Sequence, residues 1–426
     1  MKLLPILLLL GQLLMAAKIE HIEIKGVNIP VIFEEDKRLP IVTTQIVFTD
    51  SGSISDTKKA GLAKFSAKLL NEGTKRLGSN AFAEKLESKA IQLSAHAGTE
   101  TFVIELSSLK EEYSNALKEL TLLLKDPNYS QESMSKIQTM TLGNLSRKEN
   151  DYDYVAGNEL KKIMFEGTVL GQPSSGTIES VKSITLPDVK SFIAKHIVLS
   201  RAIIVVGGDV TLSEVKKNMK KTLESLEVGT ASKVPHFEVR KTPKTKIIKK
   251  ETKQAYIYFG SPYKMSVDDA EYYKARVATF ILGTGGFGSR LMEEIRVKRG
   301  LAYSAYARVH VSKSSSYMSG YLQTKLDSMD EAKETVTEVI AKFVKNGVTK
   351  EELEQTKKFL LGSEPLRVET MSQRLNRTFM EYYKGFTLGH SVDELEKIKN
   401  LKLKDLNKYI KKHTEILDIS YAIVTK

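Results

Sequence analysis

The chain has 426 residues, 41% apolar and 27% charged, a balance that fits folded domains and excludes a disordered or membrane-embedded chain. Its formal charge is +13 and it contains no cysteine, which excludes disulfides, thiolate metal ligands, a thiol nucleophile and an N-terminal lipid-anchored cysteine. This length predicts two domains or more.

Residues 1–17, MKLLPILLLLGQLLMAA, combine one basic residue, a leucine-rich run and a small-residue end at Ala16-Ala17. That is the layout of a secretory signal peptide, so an exported, periplasmic protein is expected. No later apolar run reaches spanning length, so no integral membrane span is expected beyond this segment. The lysines scatter over amphipathic stretches such as KKNMKKTLESL (216–226), which reads as solvated helix faces and not as a nucleic-acid surface.

From Lys18, β-branched residues and partial alternation predict three strands, IEHIEIKG, IPVIFEED and IVTTQIVFTDSGS. Helices are expected over 58–71 and 80–90, then a strand pair, IQLSAHAG and TFVIELSSL. Further helices follow over 111–125, 130–147, 152–165, 186–195 and 212–226, with the strand AIIVVGGD before the last. Pro235, Pro243 and many lysines mark a linker over 231–250. The second half repeats the order: a strand KQAYIYFGSPY, a helix over 268–282, strands up to Leu322, helices over 328–345, 349–363, 369–384 and 402–412, and a last strand ILDISYAIV. Two domains, 18–230 and 251–426, therefore read as an internal duplication of α+β class, each an antiparallel sheet with helices on one face.

The seven histidines are dispersed, and no helix carries a pair at i, i+4. The most ordered stretch for chemistry is Gly283 to Tyr306, GTGGFGSRLMEEIRVKRGLAYSAY. Its glycines lack the Lys-Ser/Thr ending of a phosphate loop. It reads instead as a turn and peptide-contact segment, with Gly285, Gly286, Phe287 and Ser289 as candidate substrate-binding residues. By spacing alone, Arg296 with Lys298 and Arg299 also suits a helix C-terminus, and Tyr303 with Tyr306 also suits strand packing.

Three segments carry a resemblance: DSGSISDTKKAGLAKFSAKLLNEGT from Asp50, PSSGTIESVKSIT from Pro173, and Gly283 to Tyr306. Together they resemble the M16 zinc peptidases (pitrilysin-like and mitochondrial processing peptidase-like, subfamily M16B), over essentially all of the chain after residue 17. The resemblance implies two duplicated domains of the LuxS/MPP-like metallohydrolase type. In that family H-x-x-E-H supplies two zinc ligands and a glutamate base one helical turn apart. The matching positions here are Lys64 and Lys68 for the ligands and Ala67 for the base, and Asn144 stands at or near the third ligand. Lysine offers no acceptor and alanine no proton acceptor, so the metal half of the site is degenerate. Arg296 and Tyr303, by contrast, match the arginine and tyrosine that bind substrate and stabilise the oxyanion. The resemblance thus implies a non-catalytic subunit of a heterodimeric peptidase, with no cofactor of its own. Its partners would be a homologous M16 chain carrying H-x-x-E-H, with zinc in that partner, and peptide substrates. Two alternatives stay open: a structural or binding scaffold without a role in proteolysis, and an active zinc peptidase with non-standard ligands.

Overall fold

The computed structural model describes residues 17–426, so the signal-peptide segment lies outside the described residues except for Ala17. In the first part of the chain the strands are β1 (Lys18–Ile24), β2 (Val27–Glu35), β3 (Ile41–Thr49), β4 (Gln92–Ala97), β5 (Thr101–Leu109) and β6 (Ala202–Gly208). The helices there are α1 (Leu62–Leu70), α2 (Gly78–Glu87), α3 (Tyr113–Lys125), α4 (Gln131–Lys148), α5 (Tyr152–Met164), α6 (Ile178–Ser183), α7 (Leu186–His196) and α8 (Leu212–Leu223). After them come β7 (Thr245–Lys249), β8 (Gln254–Pro262), α9 (Tyr272–Thr279), β9 (Ala302–Val311), β10 (Ser316–Lys325) and α10 (Met329–Asn346). The chain ends with α11 (Lys350–Gly362), α12 (Met371–Lys384), α13 (His390–Lys399), α14 (Leu403–Lys412) and β11 (Ser420–Thr425).

Two compact units result, and neither is continuous in sequence. The first contains the residues up to Gly143, Ser174–Val234 and Leu366–Tyr383; the second contains Asn144–Pro173, Pro235–Pro365 and Lys384–Lys426.

In the first unit six strands run in the order β1-β2-β6-β3-β5-β4, antiparallel except for the parallel pair β2 and β6. Alternation sends Ile29, Val31, Phe33, Ile46, Phe48, Phe102 and Ile104 to one face, where Ala63, Phe82, Leu120, Phe192 and Met219 of the helices close the main core. The opposite face carries Ile32, Val47, Val103, Ile203 and Val205, and α12 covers it with Met371, Leu375 and Tyr383. At Gly207 a Cβ would lie 2.5 Å from Leu375 Cδ1 and 2.7 Å from Met371 Sδ, so the bare backbone admits the helix. Polar bonds fix both ends of α12. Arg374 donates to Glu34 at 2.9 and 2.5 Å, and the Tyr383 hydroxyl donates to Glu100 at 2.6 Å.

The second unit has the strand order β7-β11-β8-β10-β9, antiparallel except for β7 with β11. Its main core lies under α9 to α11 and α14, with Ile257, Phe259, Leu291, Ile295, Val336, Phe343 and Leu406. The other face is partly covered by α5, which packs Leu160, Ile163 and Met164 against Ala422 and Tyr258. A glycine again admits the helix, since a Cβ at Gly260 would lie 2.5 Å from Met164 Sδ. Each sheet thus gains a helix on its second face from the other half of the chain.

Three elements were not legible in the sequence, the first being the single-turn helix α6, which rests on the Thr177–Ser180 capping box and not on an apolar stripe. The side chains of β7 are almost all exposed, so backbone pairing with β11 and not alternation defines that edge strand. Helix α13 buries only Glu394 and Ile398, too few to give an apolar stripe. Among the described residues no helix is long and apolar enough to cross a membrane.

Candidate functional site

Helix α1 carries the positions at which the family resemblance places a metal. It starts at Leu62, four residues later than the sequence predicts, after the left-handed Gly61, with Asp56 reaching forward to its first turn. The Asp56 carboxylate accepts from the Gly61 N–H (2.9 Å) and the Ala63 N–H (2.8 Å), which satisfies two otherwise orphan donors. Burial outweighs those bonds and pushes its carboxyl up to about 7. Gly61 has φ +91°, and a Cβ there would lie 2.8 Å from the Gly176 nitrogen. The two segments singled out in the sequence, Asp50 to Thr74 and Pro173 to Thr185, therefore touch through a pair of glycines. Ser180 Oγ donates to the Ala60 carbonyl at 2.8 Å and Lys59 Nζ to Asp188 at 2.5 Å across the same seam.

On that helix Lys64 Nζ donates to Ser174 Oγ (2.8 Å) and Lys68 Nζ to Thr141 Oγ1 (3.0 Å), while Ala67 is buried. Glu72, four residues after Lys68, is ion-paired to Lys136 at 2.8 Å. Two ammonium groups and a methyl do not fit a zinc ion, which needs lone pairs from imidazole or carboxylate. Among the described residues no group of three or more His, Cys, Asp or Glu has a metal-holding arrangement. In the second unit, Asn144 is exposed and its side-chain oxygen accepts from Arg147.

Beneath the Asp50 turn lies a buried polar cluster. Asp50 has φ +50°. Arg201 Nη1 donates to the Asp50 carbonyl (2.5 Å) and to His196 Nδ1 (3.0 Å), and His196 stacks on Phe192 at 4.5 Å. Burial and the Arg201 charge hold His196 down at about 4, so the ring is neutral.

The Gly283 to Tyr306 stretch forms a tight platform in the second unit. Helix α9 passes into a π-helical turn, Phe280–Thr284, and a second one, Glu293–Lys298, follows the glycine loop. Gly283 lies against β9, where a Cβ would approach Ala307 N to 2.4 Å. Gly286 takes φ +60° and Gly300 φ +62°, so each turns the chain where a side chain would strain it. Ser289 is fully buried, and its hydroxyl donates to the Gly286 carbonyl at 2.7 Å. It holds the loop from inside. Gly285 donates its N–H to the Phe280 carbonyl at 2.9 Å. Phe287 is left at the tip, 64% exposed.

The same platform brings Arg296, Phe287 and Tyr303 together. The Arg296 guanidinium lies 4.2 Å from the Tyr303 ring centre and 4.5 Å from that of Phe287. Tyr303 opens β9 and is 81% exposed. The neighbouring cations behave differently, for Lys298 pairs with Glu294 at 2.6 Å and Arg299 approaches Glu331 at 3.8 Å. Among the described residues no carboxylate is within ion-pair distance of Arg296. A guanidinium between two exposed rings and unneutralised by an acid keeps its donors for an incoming oxyanion or carbonyl.

Sequence reasoning missed the residue that anchors this platform. Arg290 makes a bidentate pair with Glu352 (2.7 and 2.8 Å) and donates to the Gly347 carbonyl at 2.8 Å, tying the loop to the α10–α11 corner. The local signal was the Thr349–Glu352 capping box, which places that glutamate.

Residues 31–178 match the family described as Insulinase (Peptidase family M16), and residues 183–360 match the Peptidase M16 inactive domain. The chain is 43% identical over 427 residues to the Helicobacter pylori protein named Non-peptidase homolog YmxG, covering 100% of this chain and 99% of that one. It is 25% identical over 336 residues to a Bacillus subtilis protein named Uncharacterized zinc protease YmxG, covering 78% of this chain and 80% of that one. Among solved structures, a peptidase M16 inactive domain from Pseudomonas fluorescens aligns with a TM-score of 0.87 at 24% identity, over 96% of this chain and 98% of that one. With both halves of the chain matched and a full-length relative at this identity, the chain belongs to peptidase family M16.

Proposed function

We propose that this chain is an exported, periplasmic, non-catalytic M16 subunit that completes the peptidase site of a homologous, zinc-bearing partner chain. One observation carries the reading. The Arg296 guanidinium is held between two exposed rings with no acid neutralising it, while α1 presents Lys64, Ala67 and Lys68 where ligands and base would be needed. The chain thus keeps donors for developing negative charge and lacks the means to activate a metal-bound water. Its resemblance to a relative named as a non-peptidase homologue supports the second half of that statement.

In this role Arg296 and Tyr303 donate to the scissile carbonyl oxygen as it becomes an oxyanion. Phe287 and the backbone of Gly285 and Gly286 contact the peptide, with Ser289 fixing the loop that presents them. No zinc is bound by this chain; the partner's H-x-x-E-H supplies it. Purified chain mixed with an M16 homologue carrying H-x-x-E-H should hydrolyse peptides that neither protein cleaves alone. Arg296→Ala or Tyr303→Phe should lower kcat of the mixture by about 10- to 1,000-fold with little change in complex formation. Unchanged activity in both variants would refute the assignment. Stoichiometric zinc in the isolated chain would favour an active peptidase with other ligands.

A further inference from the structure

The second face of the second sheet carries a feature that the Arg296 platform does not use. Along β9 the odd residues Ala305, Ala307 and Val309 enter the helix-covered core. The even residues Tyr306, Arg308 and His310 therefore share the opposite face. Register aligns them in rows across three strands: Tyr306 with Tyr321 and Tyr258, Arg308 with Ser319 and Gly260, and His310 with Tyr317 and Pro262. Helix α5 packs over β8 and β11 on this face, and Tyr306, Arg308, Ser319 and Tyr321 keep part of their surface open.

The tyrosine row is a continuous aromatic surface. Tyr321 stacks on Tyr258 at 5.4 Å and meets Tyr306 edge-on at 4.6 Å. The next row is cationic. Arg308 is exposed, and its Nε donates to His310 Nε2 at 3.1 Å, a nitrogen also 2.9 Å from Ser319 Oγ. The accepting nitrogen carries no proton, so His310 is neutral. Burial first, and then the Arg308 and Lys161 charges, hold its pKa at about 4. Lys161 stands one helical turn from both Gly157, which packs on Tyr258, and Phe165, whose ring meets Tyr317 at 5.3 Å, so it shares the side of the chain that faces this row. Its side chain reaches solvent, yet its crowded surroundings and the Arg308 charge lower its pKa.

Two cations that repel each other, with no carboxylate in ion-pair distance of either among the described residues, are an arrangement that folding alone does not favour. A bound anion resolves it. Rows two residues apart along a strand are about 7 Å apart, which matches the spacing of residues i and i+2 in an extended peptide.

We propose that this face binds an extended peptide, its acidic side chain on Arg308 and Lys161 and its aromatic side chain, two residues away, on the Tyr306–Tyr321–Tyr258 row. His310 is the positioning residue that aims Arg308 without neutralising it. The peptide nature of the ligand rests on the function proposed above, but the test needs neither the partner chain nor catalysis.

The probe is a fluorescein-labelled, C-terminally amidated Gly-Glu-Gly-Phe-Gly, titrated into the full chain and followed by anisotropy, with the Gln-for-Glu peptide as control. We expect the Glu peptide to bind at least 10-fold more tightly than the Gln peptide. Arg308→Ala should abolish that preference, and Lys161→Ala should reduce it several-fold. His310→Ala should weaken the Glu peptide alone, leaving the Gln peptide unchanged, which a general loss of structure would not do. Equal affinity for the two peptides, or an undiminished preference in Arg308→Ala with an unaltered melting temperature, would overturn the proposal. Neither zinc nor hydrolysis enters this measurement, so failure here and failure of the peptidase role are separable.

Discussion

The stability contributions of Asp56 and His196 change over overlapping pH windows with opposite sign in the first unit. The Asp56 carboxyl is raised to about 7, so its contribution to stability is full below its ordinary value near 3.8 and is lost as pH rises through 7. His196 is depressed to about 4, so its contribution is full above 6.5 and is lost as pH falls through 4. Each group is worth on the order of 3 to 4 kcal/mol if its shift is fully expressed. Wild-type urea midpoints should therefore vary little between pH 4 and 6.5 on account of these two groups. Relative to wild type, Asp56→Asn should tilt the profile toward greater stability at high pH, and His196→Gln toward greater stability at low pH. Parallel profiles for the three proteins would show that the two groups are not the buried titrants described. At Gly61 the constraint is steric. Gly61→Ala places a Cβ against the Gly176 backbone at a left-handed φ and should cost roughly 2–4 kcal/mol in denaturant unfolding.

The glycine platform depends on elements outside it. Removing the Arg290 fork from Glu352 should cost roughly 1–3 kcal/mol and raise amide exchange over residues 284–300, because the loop then loses its tie to the α10–α11 corner. If Arg290→Ala leaves exchange there unchanged, the fork does not hold the platform. Elements whose signal is local were legible in the sequence: β9 and β10 through alternation, α11 through Thr349 and Glu352, and the Gly300 turn before Tyr303. The closeness of Phe287, Arg296 and Tyr303 was legible in the same way, since the three lie within 17 residues. Arg290 and Asp56 were not, because one acts through a glutamate 62 residues on and the other caps a helix from behind a loop. Nor did the pattern of α12 disclose its sheet. Met371, Leu375 and Tyr383 make an apolar stripe that suits any sheet face, and only Gly207 marks the strand that receives it.

At the scale of the whole chain, each sheet is completed by a helix encoded in the other half. A fragment ending at Val234 lacks α12 and so leaves Ile32, Val47, Val103, Ile203 and Val205 uncovered. We expect that fragment to aggregate, and to be recovered in soluble form when residues 235–426 are co-expressed in trans. A monomeric, cooperatively unfolding 17–234 fragment would contradict the role given to α12. The pairing of Arg374 with Glu34 joins residues 340 apart in sequence, so the first sheet cannot be sealed until α12 has been made. Synthesis order and folding order are thereby uncoupled: strands made long before α12 must wait for it to become native, and the protein reaches its final state as one late event instead of two successive ones.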